Sequence, residues 1–487
     1  MTATAPQPSS PSAAPAPSLS AAPESSAESR PLTRGWLALM GAVVLLPFVI
    51  AVVQLGRLHP DEVYQMLEPA WHRAHGYGVL AWEWQQGLRN WAAPILLSWL
   101  LRLASLLGFT HPQANRALVA LPQLALHGWM LLAAYRMAAR RAGQAGGILT
   151  VLLMGLYGPV LVFAGRTMSE SISAALLVVA MEALDRKEQS ARAGLLTGLV
   201  LGLSVVARYG SAVFVLAVLV WLLVARRWRV LAFTCLSGLL VALGLGALDW
   251  SSWGTPFHSL SAYLNFNVFT DGAARDYGVN PPGFYVPVLL TALPFWLWLT
   301  VPLGLNALRR RALSLPLFCA LVYLAVLTAT PHKEERFIYP ALVLLVLAAA
   351  PAMAGWLVSL ASLATKLRWG PAALALATTV VPAAFYPPQD MRADQFRAIV
   401  AATRPRDVTG LLIVNEGLWG SGGFFYIGKN IPWLTCDWPQ DWAFQRAVGD
   451  PAFNRAITFE GRALTELKAA GFREVGQVGR ETILARP

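Results

Sequence analysis

The sequence predicts an all-α polytopic membrane protein of about eleven transmembrane helices, followed by a small extracytoplasmic α/β domain at the C-terminus. Three observations predict it. Of the 487 residues, 56% are hydrophobic and only 13% charged, with a mean hydropathy of +0.51, whereas a soluble domain carries about 25% charged residues. Apolar runs recur from Trp36 to Phe385, many close to the roughly 20 residues a helix needs to cross a hydrocarbon core. From about Pro387 the composition turns charged and mixed.

Residues 1–33 are rich in Ala, Pro and Ser with few apolar anchors. Such a segment cannot repay the entropy of ordering and is expected to be a disordered cytoplasmic leader. Trp36 to Val53 is too long for the apolar core of a secretory signal, and no A-x-A-like cleavage site follows it, so it reads as a retained first helix. Spans are expected at about 35–56, 116–135, 147–163, 169–184, 194–207, 210–225, 230–248, 284–304, 313–330, 337–359 and 369–385. Together with their loops they form a membrane domain over 34–386, with the domain 387–487 after it.

Basic clusters set the orientation. Arg30/Arg34, Arg136/Arg140/Arg141, Arg186/Lys187/Arg192, Arg226/Arg227/Arg229, Arg309/Arg310/Arg311 and Lys366/Arg368 all fall on one side, which the positive-inside rule makes cytoplasmic. The formal charge of +12 therefore reads as a topology signal, not as a nucleic-acid surface. Counting Pro94 to Phe109 as a span would put the Arg136–Arg141 cluster outside. With Arg102 in its middle, this segment fits an amphipathic helix in the interface. The loops at about 57–115, 164–168, 249–283 and 331–336, and the C-terminal domain, then open on the outer face. In that domain DVTGLLIVNE reads as a strand, GSGGFFYIG as a hairpin or flexible loop, and AFNRAITFEGRALTELKAAGF as a helix ending at Gly471. Cys235, Cys319 and Cys436 form no disulfide framework.

The first outer loop concentrates carboxylates and histidines in HPDEVYQMLEPAWHRAH. On a regular helix starting at Pro60, Asp61, Gln65, Glu68 and His72 share one face. A carboxylate at the positive end of a helix stays ionised, and at a membrane edge it suits the task of taking a proton from a substrate hydroxyl. The structural alternative is that Asp61 and Glu62 merely charge a helix start. Ionisable groups at membrane depth favour function for Asp61, while Glu62 points about 100° round the helix. Glu68, His72, Glu83 and Arg89 either meet substrate or orient the loop.

A second cluster is PHKEERFIYP, 331–340. His332, Lys333 and Arg336 offer positive charge, held by Glu334 and Glu335. That is what a leaving lipid phosphate requires as it gains charge, although two helices capped by self-neutralising pairs would look the same. Arg208, in VVARYGS, needs an anionic partner, and Arg166, Ser169 and Glu170 in GRTMSES repeat the pattern in miniature. In the loop 249–283, His258, Tyr263, Asn265, Asn267 and Tyr277 are candidates to bind sugar hydroxyls. Trp250 and Trp253 either stack on a sugar or, as the commoner case, anchor in the interface. No P-loop, dinucleotide fingerprint, H-E-x-x-H or paired C-x-x-C is present.

HPDE with its following Q-x-x-E, WEW with Arg89, GRTMSES, FNV with YG, and HKEERFIYP stand in one order over about residues 35–350. In that order they resemble glycosyltransferase family 22, most of all its branch that adds the third mannose of glycosylphosphatidylinositol anchors. The resemblance implies a GT-C fold and an active site in extracytoplasmic loops. It also implies a polyprenyl-phosphate-mannose donor, inversion at the anomeric carbon, and neither metal nor cofactor. It makes Asp61 the general base with Glu62 and Glu68 as acidic companions, and places His332, Lys333, Glu334 and Arg336 near the donor phosphate. The expected partners are the polyprenyl-phosphate sugar, a lipid or glycan acceptor and membrane lipids. High Ala, low Lys and no eukaryotic retention signal point to a bacterial cytoplasmic membrane, with the N-terminus inside. A flippase carrying a polyprenyl-linked sugar is the alternative, but it would place charges at the midplane and show repeated halves.

Overall fold

The computed structural model describes residues 33–186, 190–310, 313–363, 369–386, 389–417, 420–439 and 442–487. The expected leader, along with Lys187, Arg311, Lys366 and Arg368, lies outside the described residues.

The first apolar run is the helix Arg34–Val53, N-capped by Thr33. The runs expected at 116–135 and 147–163 share one long helical stretch, Leu121–Gly155, broken where Ala142 and Gly143 leave helical backbone angles. At the centre stands Ser169–Asp185, buried over most of its length. Around it pack Leu121–Gly155, Ala191–Ala207 and Tyr339–Leu363.

The contact between Ala191–Ala207 and Trp228–Trp253 has its cause in the sequence. Gly194, Gly198 and Gly202 recur every fourth residue, forming a stripe on which the second helix lies. A Cβ at Gly198 would overlap the carbonyl of Thr234, so only glycine lets the backbones come this close.

Among the described residues, four helices are long and apolar enough to span a membrane, and a fifth span results if a bent pair counts as one. The remaining apolar helices, such as Ala191–Ala207, Leu315–Ala329 and Gly370–Ala384, have 10–17 residues. The count of eleven full spans is therefore not met by length and composition. The run at 284–304 is not a straight span: its two arms, Pro282–Ala292 and Phe295–Asn306, meet at 117° around Pro294, whose ring cannot continue the preceding helix. Ala92–Leu106 covers the expected interfacial segment, burying Leu97, Leu101 and Ala104 while exposing Leu96, Trp99 and Leu103.

The bundle has two chemically distinct ends. At the C-terminal end of Ser169–Asp185, Arg140 pairs with Glu182 at 2.8 Å and with Asp185 at 2.7 Å. Arg141 also pairs with Asp185, and Arg227 donates to the carbonyls of Leu184 and Arg186. Glu170 marks the opposite end, roughly 25 Å away along a 17-residue helix.

Beyond residue 389 the chain forms a five-stranded sheet in the order β2-β1-β3-β5-β4. Its strands are β1 Leu411–Val414, β2 Trp433–Cys436, β3 Arg455–Thr458, β4 Arg473–Val478 and β5 Glu481–Ala485. β1 pairs in parallel with β2 and β3, and β5 runs antiparallel to β3 and β4. Two local expectations are corrected. The segment read as one long helix is β3 followed by the helix Gly461–Ala469, because the fully buried RAIT is a central strand between β1 and β5. GSGGFFYIG is not a hairpin but a short helix, Gly423–Ile427, flanked by left-handed glycines and seated on the first outer loop.

Candidate functional site

Pro60 opens a helix as expected, but Glu62–Leu67 winds as a π-helix before the chain becomes α-helical at Glu68. A π turn holds more residues than an α turn, so the face predicted to carry Asp61, Gln65, Glu68 and His72 is split. Asp61 and Gln65 line the same cavity. Glu68 is turned away, accepting from the Val79 N–H at 2.8 Å and the Phe425 N–H at 2.6 Å. Burial pushes its carboxyl up to about 7 against the pull of these donors. His72 packs against Gly78, outside the cavity.

Asp61 is the centre of a charged network drawn from four segments. Its Oδ2 lies 2.9 Å from Arg336 Nη1 and its Oδ1 3.2 Å from His59 Nδ1. Arg336 also reaches Glu170 at 3.2 Å and Glu334 at 2.6 Å, and Glu170 holds Arg208 at 2.7 Å. Burial acts to raise the Asp61 carboxyl, but the Arg336 guanidinium and the His59 ring outweigh it and hold it well below its ordinary value. Arg208 and Arg336 lie on the ring of Phe337, at 4.9 and 5.2 Å from its centroid, which keeps the two cations from swinging into solvent.

Residues of the cavity wall keep buried polar atoms without a partner. Arg89 Nε and Arg208 Nε are buried donors without a partner, and Gln65 Oε1 is a buried acceptor without one. All three residues line the cavity with Asp61, Glu170 and Tyr263. Buried polar atoms are rarely left unpaired, so two guanidinium N–H groups beside an ionised carboxylate suit a bound anion next to a hydroxyl.

The other expected site residues have different positions. Glu62 does not face the cavity: its carboxylate is 1% exposed, pairing with Arg116 at 2.9 Å and Arg166 at 3.3 Å and accepting from the Leu58 N–H. The two guanidiniums also gather the carbonyls of Gln54, Leu55 and Gly56. Glu62 and Arg166 thus tie the end of the first helix to the GRTMSES turn. Lys333 is buried with its ammonium against the carbonyls of Asn280 and Thr330, at 3.0 and 2.5 Å, so it clasps two outer loops instead of facing the cavity. His332 bridges Gly278 O and Glu334. Glu83 accepts from Gln65 Nε2 at 2.5 Å and pairs with Arg89 at 3.7 Å, orienting both cavity residues. Asn267 donates to Tyr263 O, Asn265 is exposed, and Tyr277 lies in ring contact with Trp82 and His332. His59 and Arg116 were not singled out from the sequence. His59 stood in plain view one residue before Pro60, but its contact with Glu334 at 3.4 Å is long-range. Among the described residues no group of three His, Cys, Asp or Glu is arranged to hold a metal ion.

The C-terminal domain closes on this loop from the other side. Ser421 Oγ meets Tyr64 OH at 2.8 Å, Tyr426 OH donates to Leu55 O, and Arg57 pairs with Met391 in an antiparallel bridge. At Gly423, φ is +66° and a Cβ would overlap the Glu68 carboxylate. Only glycine allows the helix to start there.

A helical bundle whose loops at one end enclose a carboxylate–arginine cavity, with a small α/β domain docked on the first loop, defines a polytopic membrane protein of the GT-C fold. The fold matches that of ArnT from Cupriavidus metallidurans, solved with undecaprenyl phosphate bound, with a TM-score of 0.63 at 14% identity over 93% of this chain and 98% of that one. Residues 37–387 match the Alg9-like mannosyltransferase family, and the chain belongs to that family. It is 30% identical over 305 residues to GPI mannosyltransferase 3 of Yarrowia lipolytica, covering 60% of this chain and 58% of that protein. To GPI mannosyltransferase 3 of Candida albicans it is 29% identical over 292 residues, covering 58% and 56%. The chain thus spans less than two thirds of the length of these relatives.

Proposed function

We propose that the protein transfers mannose, or another hexose, from a polyprenyl-phosphate sugar to a hydroxyl of a lipid- or glycan-linked acceptor on the outer face of the membrane, with inversion and without a metal ion. The observation that carries this reading is that Asp61, Arg89 and Arg208 line one cavity, with a buried Nε–H of each arginine left without a partner. Asp61 takes the proton of the acceptor hydroxyl as its oxygen attacks the anomeric carbon. The bond from that carbon to the phosphate oxygen breaks, and the polyprenyl phosphate leaves with the electron pair. Its growing negative charge falls on Arg208 and Arg89. A carboxylate with a depressed pKa serves here because the hydroxyl turns strongly acidic once its oxygen has begun to bond to an oxocarbenium-like carbon. The separation of the basic end from the cavity end supports an outward-facing site under the positive-inside rule.

The test is transfer of radiolabel from polyprenyl-phosphate mannose to membrane glycolipids by protein in nanodiscs, with EDTA present. Transfer that persists in EDTA and falls by about 10²–10⁴ in Asp61→Asn, with donor binding intact, is the expected result. Donor binding with no transfer from any polyprenyl-linked sugar overturns it in favour of a carrier that breaks no bond.

A further inference from the structure

Three loops far apart in sequence bring four aromatic rings into one row beside the Asp61 network. Phe266 lies 5.1 Å from Trp82 between ring centroids, Trp82 lies 6.4 Å from Tyr277, and Tyr277 lies 5.7 Å from His332. Trp82 and Trp84 sit two positions apart on one short helical turn and so point to different sides: Trp84 is buried and lines the cavity, whereas Trp82 belongs to the row. The row ends at the charges, since His332 Nε2 is 3.3 Å from Glu334, which in turn holds Arg336 against Asp61. The Tyr277 phenol is raised by burial and then by the Glu83 and Asp61 carboxylates, which places it within their field.

We infer that this row is a sugar-binding shelf for the glycan part of the acceptor, holding a ring next to the one whose hydroxyl meets Asp61. The inference rests on the transferase reading and names the acceptor class within it. Tyr277 is 55% exposed, and Gln86 and Asn265 stand exposed close by in sequence to the rings. A sugar has an apolar C–H face and a rim of hydroxyls, and it matches aromatic faces edged by amides; an acyl chain would leave those amides without partners. Interface anchors have another form. Trp250 and Phe295 are 65% and 64% exposed on helices of the bundle, while the four rings of the row lean on one another across loops. Lys333, buried between the carbonyls of Asn280 and Thr330, fastens the loop carrying Tyr277 to the turn carrying His332, so the row is assembled before any ligand arrives.

Protein in nanodiscs, charged with radiolabelled polyprenyl-phosphate mannose, is assayed on octyl α-mannoside and on an octyl α-dimannoside. In Trp82→Ala and in Tyr277→Ala the KM for the dimannoside rises about tenfold, equivalent to 1.4 kcal/mol of lost binding. The KM for the donor stays that of the parent, because the rings hold a part of the acceptor that does not react. Tyr277→Phe keeps the ring face and restores the parent KM. An unchanged dimannoside KM in both alanine variants overturns the shelf while transfer itself stands. If the parent transfers to neither probe, saturation-transfer NMR of the dimannoside decides separately: signal on its C–H protons that disappears in Trp82→Ala and persists in Trp82→Phe supports the shelf, and equal signal in all three overturns it.

Discussion

Arg336 Nη1 lies 2.9 Å from Asp61 Oδ2, joining the first outer loop to the last one. The contact sets both the position and the charge of the proposed base. Because Arg336 is the strongest influence lowering the Asp61 carboxyl, followed by His59, Asp61 is ionised throughout the neutral range. The profile of kcat/KM against pH therefore shows no acid limb from Asp61 above about pH 4. In Arg336→Gln, burial is opposed only by His59 and Arg89, and the acid limb moves upward toward neutral pH. An acid limb that stays in place in that variant contradicts the assignment of Asp61 as base.

Glu62 and Asp61 are neighbours in sequence with opposite fates in the fold. Glu62→Gln leaves Arg116 and Arg166 buried without their shared carboxylate, a loss on the order of 3–5 kcal/mol. A lower melting temperature by scanning fluorimetry is expected for Glu62→Gln, and a near-parent melting temperature with lost activity for Asp61→Asn. If Glu62→Gln melts like the parent yet is inactive, Glu62 takes part in the chemistry.

The docking of the C-terminal domain depends on Gly423 and Glu68. Gly423→Ala places a methyl group into the Glu68 carboxylate at a left-handed φ and is expected to cost about 1–3 kcal/mol. It should be seen as faster hydrogen exchange in Glu68–His75 and Gly423–Ile427 together.

The pKa of Glu68 carries a sign that calorimetry can check. Raised from 4.5 to about 7, its folded-state carboxyl retains a proton that the unfolded chain releases. Its contribution is complete below 4.5 and is lost as the pH rises through about 7. The melting temperature of the parent should thus fall more steeply across that window than that of Glu68→Gln.

Gly198→Leu tests the glycine stripe. A side chain at the point where Thr234 O approaches must drive the two helices apart, at a cost of about 1–3 kcal/mol. Reduced melting temperature in detergent is expected, with the Asp61 network, which lies elsewhere, retaining its pH profile in the folded fraction.

Local pattern was enough for the membrane character, the segments that carry the chemistry and the change of class near residue 387. Long apolar runs and clustered charges are properties of contiguous residues, and no distant partner is needed to read them. Asp61, Arg208 and Arg336 were all legible as candidates because charge is rare in such surroundings. Tertiary structure decided which charge serves which purpose. The π turn after Asp61 sent Glu68 toward the C-terminal domain and left Gln65 in the cavity. Two buried arginines claimed Glu62, backbone carbonyls claimed Lys333, and β3 emerged from a helical-looking segment because strands lie on both sides of it. Each of these outcomes depends on groups brought together from distant segments. Whether a buried charge becomes a base, a clasp or a brace is determined by the neighbour that neutralises it, and that neighbour is selected only when the chain folds.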